Sequence, residues 1–205
     1  MSIIITKLIT LPGIIIGLSL HEFAHAKVSS LLGDPTPKQQ GRVTISPFAH
    51  IDVIGFIMLL LCGFGWGKPV QINPAYYKHR RRDEFLVSIA GVIMNFILAI
   101  LFAFPTMWAF RASMTSSLME IVFEVLFAVV QINLCLMLFN LIPVPPLDGF
   151  GIVTQLFNLQ KYSWYYRIYQ YGSIILLILI VSNATSLILT PAMQWLLNII
   201  FTIVS

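Results

Sequence analysis

His21, Glu22 and His25 stand in the order H-E-x-x-H inside the apolar run GLSLHEFAHAKV. On an α-helix, residues four apart share a face, so both imidazoles can reach one ion. Imidazole suits zinc, and a glutamate next to the first histidine sits beside such an ion without having to ligate it. Its carboxylate can then take a proton from metal-bound water. Ionisable groups inside an apolar span are expensive unless they are paired or ligated, which favours a functional cluster over an incidental polar face. Catalytic zinc sites usually take three protein ligands plus water, so the two histidines need a third partner from elsewhere in the chain.

The elements that must carry this cluster are those of a membrane protein. Of the 205 residues, 58% are hydrophobic and only 10% charged, and the mean hydropathy is +0.89. Soluble domains carry about 25% charged residues, so this chain could not cover a globular surface with polar groups. The net charge of +4 is concentrated in YKHRRRD, with Lys38, Arg42 and Lys68 in the polar stretches before it. That clustering is a cytoplasmic topology anchor and not a nucleic-acid site. Cys62 and Cys135 lie in apolar surroundings, read as small buried hydrophobes, and offer no disulfide framework. The N-terminal run follows Lys7 but has no A-x-A cleavage site, so it is expected to be a retained span.

Hydropathy predicts spans over residues 3–32, 85–110, 115–142, 168–181 and 187–204. Residues 53–66 are apolar but short, which suits a segment that dips into the membrane and returns. That reading also keeps all the basic loops on one face. Residues 41–46 contain Val43, Thr44 and Ile45 in an alternating pattern, consistent with a short strand. Gly13 and Gly17 form a GxxxG that would let another helix approach closely, whether from this chain or a second copy. The expected fold is therefore an all-α polytopic membrane protein with about five transmembrane helices, a re-entrant segment and a small β-strand element. It forms a single domain over residues 1–205, with a catalytic core over about 3–160 and a helical hairpin over about 164–204.

Few residues could supply the third ligand. Glu120 and Glu124 lie near the far end of their span, close to Arg111, where solvation or pairing explains them. Asp148 follows Pro143, Pro145 and Pro146 and precedes Gly149. Prolines free the backbone, so a carboxylate can be placed at membrane depth in irregular structure lining a cavity. The same residue could equally be the N-cap of a helix starting at Gly149. The residues alone leave both readings open.

HEFAH in the first span, AG-x-x-x-N in the next and FNLIPVPPLDG in the third together resemble the site-2 protease family of intramembrane zinc metalloproteases. GRVTISPFAHID and GWGKPVQINP resemble two further stretches of that family, so the likeness covers residues 13–151. The resemblance implies zinc, one ion per chain, with His21, His25 and Asp148 as its ligands and Glu22 as the catalytic carboxylate. It places Asn140 close to the active site as a hydrogen-bond donor to substrate or oxyanion. Asn95 matches the second-span asparagine, residues 43–45 match a region used against substrate, and Asn95, Val43, Thr44 and Ile45 are expected to bind substrate. Two positions depart from the pattern: Val92 stands where proline is usual, and Phe150 where a second glycine is usual. His50 falls in the matched H-I-D stretch without a zinc role, and His79 is expected to be solvated.

The implied activity is hydrolysis of peptide bonds within or near transmembrane segments of a membrane protein or peptide substrate. Its setting is the lipid bilayer of a prokaryotic cell, with the active site nearer the cytoplasmic side. The alternatives are a membrane zinc-binding or transport protein and an inactive scaffold. A transporter needs polar residues forming a path over several spans, and one cluster is present instead. Glu22 argues against a scaffold.

Overall fold

The computed structural model describes residues 3–62, 65–113 and 116–204. Cys62's side chain and Thr115, the first residue of one expected span, lie outside the described residues. Eight α-helices follow one another among those described: α1 (Ile3–Leu31), α2 (Thr36–Gln39), α3 (Val53–Cys62), α4 (Arg80–Ser113), α5 (Ser117–Asn140), α6 (Asp148–Phe157), α7 (Tyr165–Val181) and α8 (Ala184–Val204). Four of them, α1, α4, α5 and α8, are long and apolar enough to cross a membrane. The expected count of about five is not reached on that criterion, because α7 has only 17 residues.

Helices α1, α4 and α5 pack on one another and form the centre of the molecule. Helix α6 lies against α4, α8 against α5 and α4, and α7 against α8. Helix α4 turns bulky apolar residues outward and completely buries several small or polar ones. On α4, Ile93, Ile97, Leu101, Phe104 and Trp108 are exposed, whereas Asn95, Ala99, Ala103 and Thr106 are completely buried. Lipid is as apolar as leucine, so close backbone approach and interhelical hydrogen bonds, rather than apolar burial, drive such helices together. Gly13 and Gly17 serve this purpose within the chain. A Cβ on Gly13 would stand 3.0 Å from the Val129 Cα, and one on Gly17 2.6 Å from the Leu136 Cδ1. The GxxxG face is thus occupied by α5 and is not left free for a second copy.

Several expected boundaries move. Helix α4 begins at Arg80, inside the basic stretch, because charged turns beyond the hydrocarbon can be solvated and paired. Arg80 Nε donates to Glu84 Oε1 at 2.7 Å. Hydropathy reports the apolar stretch, not the helix ends. Helix α3 has ten residues and rises about 15 Å, half of a hydrocarbon core of about 30 Å. Cys135 is exposed and is not the buried hydrophobe expected. It borders a groove of about 360 Å³ between α1, α5 and the end of α3, and that opening is what exposes it.

The strand expected over residues 41–46 does not form. Gly41 turns the chain with a φ of +66°, and the side chain of Arg42 is buried, so the segment bends inward without a partner strand. Among the described residues, the one β-type pairing outside helices is an antiparallel bridge between Ile51 and Gly67.

Candidate metal centre

Helix α1 positions the two histidines. Both rings are buried, and their Nε2 atoms lie 3.1 Å apart. Helix α4 fixes their orientation through a stripe of three residues spaced by four. The carbonyl of Val87 is 2.7 Å from His25 Nδ1, and Asn95 Oδ1 is 2.6 Å from His21 Nδ1. Gly91 lies between them and supplies the room. A Cβ there would stand 2.5 Å from both His21 Cε1 and His25 Nε2.

The hydrogen bonds decide the tautomers. The Val87 carbonyl can only accept, so His25 carries its proton on Nδ1. Asn95 Nδ2 donates to the Gly17 carbonyl at 3.1 Å and to Asn133 Oδ1 at 3.0 Å, which turns its Oδ1 towards His21. His21 must therefore also donate from Nδ1. Asn133 completes the network by donating from Nδ2 to the Val129 carbonyl at 2.8 Å. The network spans α1, α4 and α5, and it leaves both Nε2 lone pairs facing one point.

Asp148 arrives at that point from the start of α6. Its Oδ2 is 3.2 Å from each Nε2 and has no hydrogen-bond partner. Leu147 is the N-cap and Asp148 the first residue of α6, so it is not the cap of a helix starting at Gly149. The turn before it folds tightly on the end of α5. A Cβ on Gly149 would stand 2.3 Å from the Leu141 carbonyl oxygen. The donors fit a zinc ion: two imidazoles with their second nitrogens occupied, and a carboxylate oxygen with no other partner. A tetrahedral zinc with ligand distances of about 2.0–2.1 Å has ligand–ligand edges of about 3.3–3.4 Å, close to the separations found. Among the described residues, no other group of three such side chains converges.

Glu22, next to His21 on α1, also meets the segment after α3. Its Oε2 accepts a hydrogen bond from the Val70 amide at 2.9 Å. Asn140, the last residue of α5, donates from Nδ2 to the Leu136 carbonyl at 3.0 Å. Val43, Thr44 and Ile45 lie in an irregular loop, where Ile45 is exposed. His50 is fully buried and donates from Nε2 to the Thr44 carbonyl at 2.7 Å, away from the metal group. Burial pushes its imidazole below the ordinary value. His79 is exposed. The departures are accommodated: Val92 joins the buried core without interrupting α4, and Phe150 stacks on Tyr165 at 5.5 Å between ring centroids.

Gly91 and Val70 lie within the matched stretches, but the sequence assigns no role to Gly91, to the Val87 carbonyl or to the Val70 amide. For Gly91 a signal was present, since it precedes Asn95 by four residues and so shares its helix face. The other two act through the backbone, which no side-chain pattern reveals. Removing the amide of Asn95 is expected to release His21. Asn95→Leu should weaken zinc affinity about 10–100-fold, the usual cost of losing an outer partner of a metal-bound histidine. Competition with a zinc-sensitive dye on the purified variant measures this.

Residues 107–182 match the model of a family described as Peptidase family M50; that stretch contains Asn140 and Asp148. The chain is 37% identical over 183 residues to "Putative zinc metalloprotease YwhC" of Bacillus subtilis (strain 168), covering 88% of this chain and 84% of that one. Over 183 residues it is 26% identical to "Putative zinc metalloprotease Rip2" of Mycolicibacterium smegmatis, covering 86% and 68% of the two chains. The protein of the same name from Mycobacterium tuberculosis (strain ATCC 25618 / H37Rv) is 30% identical over 151 residues, or 69% and 54%. No solved structure matches the chain.

Proposed function

The chain belongs to the site-2 protease family of zinc metalloproteases, peptidase family M50, and from that premise we propose that it hydrolyses peptide bonds within or beside the membrane-spanning segments of its substrates. The observation that carries this reading is the convergence of His21, His25 and Asp148 inside a bundle of apolar helices. His21 and His25 would hold zinc through Nε2, and Asp148 through Oδ2. A bound zinc would polarise the scissile carbonyl and lower the pKa of its water towards about 7.

The remaining steps belong to the chain's own groups. Glu22 accepts the proton of the attacking water on its carboxylate and later delivers it to the leaving amine. Asn140 donates its second amide hydrogen to the oxyanion, the first being held by Leu136. Asn95 acts on His21 and not on substrate. Val43, Thr44 and Ile45 meet substrate as a loop that must become extended for strand-like capture. His25 lies six residues from the end of α1, about 9 Å, at the end from which the basic segment departs. This supports a site nearer the cytoplasmic face, and the bacterial relatives support a prokaryotic cell membrane.

The test is purification with zinc analysis, followed by incubation with a panel of membrane-span substrates. About one zinc per chain is expected, with cleavage that a chelator abolishes and added zinc restores. A zinc-loaded protein that cleaves none of the panel and carries zinc into vesicles would establish transport instead.

A further inference from the structure

The extended segment after α3 crosses α1 at Glu22, and it is anchored on both sides of the residue that does so. Gly67 pairs with Ile51, and the Lys68 amide donates to the His50 carbonyl at 2.8 Å. Five residues on, the Asn73 amide donates to Asp34 Oδ2 at 2.7 Å. Asp34 is itself fully buried, and it also accepts from Ser29 Oγ at 2.9 Å and the Thr36 amide at 2.9 Å. Burial opposes ionisation of Asp34, but these donors outweigh it and hold its carboxyl below the usual range. Between the two anchors, Pro69 fixes its own φ, and the next amide, that of Val70, donates to Glu22.

The near anchor is closed by a buried cation. Arg42 is 4% exposed, and its guanidinium donates from Nη1 to the Ala49 carbonyl and from Nη2 to the Lys68 carbonyl. One rigid fork thus bonds both crossing segments, a task that a single ammonium group does not match. Arg42 reaches this position because Gly41 turns the chain at positive φ and the Arg42 amide donates to the Pro37 carbonyl at 2.8 Å. Among the described residues, no carboxylate lies within ion-pair distance of Arg42. Burial lowers its pKa, and the negative charge of Glu22 opposes that shift.

We infer that Arg42 is a positioning residue for Glu22: by clamping Ala49 and Lys68 it fixes the Val70 amide, and that amide aims the carboxylate. This rests on the reading of the chain as a zinc protease with Glu22 as its base. Arg42 touches neither the metal group nor a reacting atom, so its loss acts on the rate and leaves binding intact.

Cleavage of one membrane-span substrate by wild type, Arg42→Lys, Val70→Pro and the double variant tests this. Val70→Pro deletes the donor hydrogen itself, and it serves if Arg42→Lys does not fold. Each single variant should lower kcat about 10–100-fold, with KM and zinc content unchanged. The double variant should be no slower than the slower single one, because both changes act through Glu22. In a Glu22→Gln background, Arg42→Lys should leave substrate capture unaltered. Wild-type kcat in Val70→Pro, additive losses in the double variant, or loss of zinc on Arg42→Lys would each overturn the inference. An inactive wild type would instead refute the protease reading on which it rests.

Discussion

Glu22→Gln should reduce cleavage about 10²–10⁴-fold while the protein keeps its full complement of zinc. The lower figure is the least that general acid–base catalysis contributes when a positioned carboxylate moves a proton in the transition state, and the upper figure its usual limit. Glutamine has nearly the same volume, and its carbonyl oxygen can still accept the hydrogen bond that the Val70 amide now gives to Glu22. Neither imidazole nor Asp148 is touched, so the metal group retains its three converging atoms. Paired measurements of turnover and zinc per chain make the outcome decisive. Loss of zinc together with activity would mean that Glu22 is structural, and full activity would mean that another group serves as the base.

The second large effect comes from a single methyl group. Gly91→Ala should destroy the metal centre and leave the helical bundle standing. The added Cβ would lie 2.5 Å from both His21 Cε1 and His25 Nε2, and 2.6 Å from His21 Nε2. Carbon atoms in comfortable contact are about 3.5–4.0 Å apart, so the rings must turn or the helices separate. Separation is opposed on both sides: Val87 and Asn95 hold the rings to α4, and Gly13 and Gly17 hold α1 to α5. The rings therefore rotate, and zinc affinity should fall by at least about tenfold, with activity following. Helix propensity runs the other way, since alanine is about 1 kcal/mol more favourable than glycine within a helix. Unchanged far-ultraviolet circular dichroism with lost zinc is the expected pair of results. A zinc-replete, active Gly91→Ala protein would show that the helices can move apart there. The two variants also separate the two functions of the site, because Glu22→Gln loses turnover alone.

Parts of this architecture were legible in the chain because they depend on neighbours in sequence. The H-E-x-x-H spacing sets two imidazoles on one helix face whatever the rest of the fold does. Apolar runs of span length become long helices because no other structure satisfies their backbone in lipid. Local patterns misled where a tertiary contact outweighed them. Residues 41–46 alternate like a strand, yet the buried Arg42 draws that segment inward to the Ala49 and Lys68 carbonyls. Cys135 sits in an apolar run, yet the face of α5 that carries it borders a groove. The polar Asn95 resembled a substrate contact, and its hydrogen bonds turn it instead towards His21, Gly17 and Asn133.

By itself, then, the sequence determined the apolar helical class, the histidine pair and the candidate base. These follow from composition and from the 3.6-residue period, which are properties of short stretches. The resemblance implied Asp148, more than a hundred residues on, as the third ligand, but only the tertiary structure decided that its Oδ2 meets the two Nε2 atoms, that Gly91 makes room for them, and that a backbone amide at Val70 holds Glu22. Those facts depend on how α4, α6 and the segment after α3 lie across α1. Such placements arise from close approach and hydrogen bonds between distant residues, and no spacing along the chain encodes them.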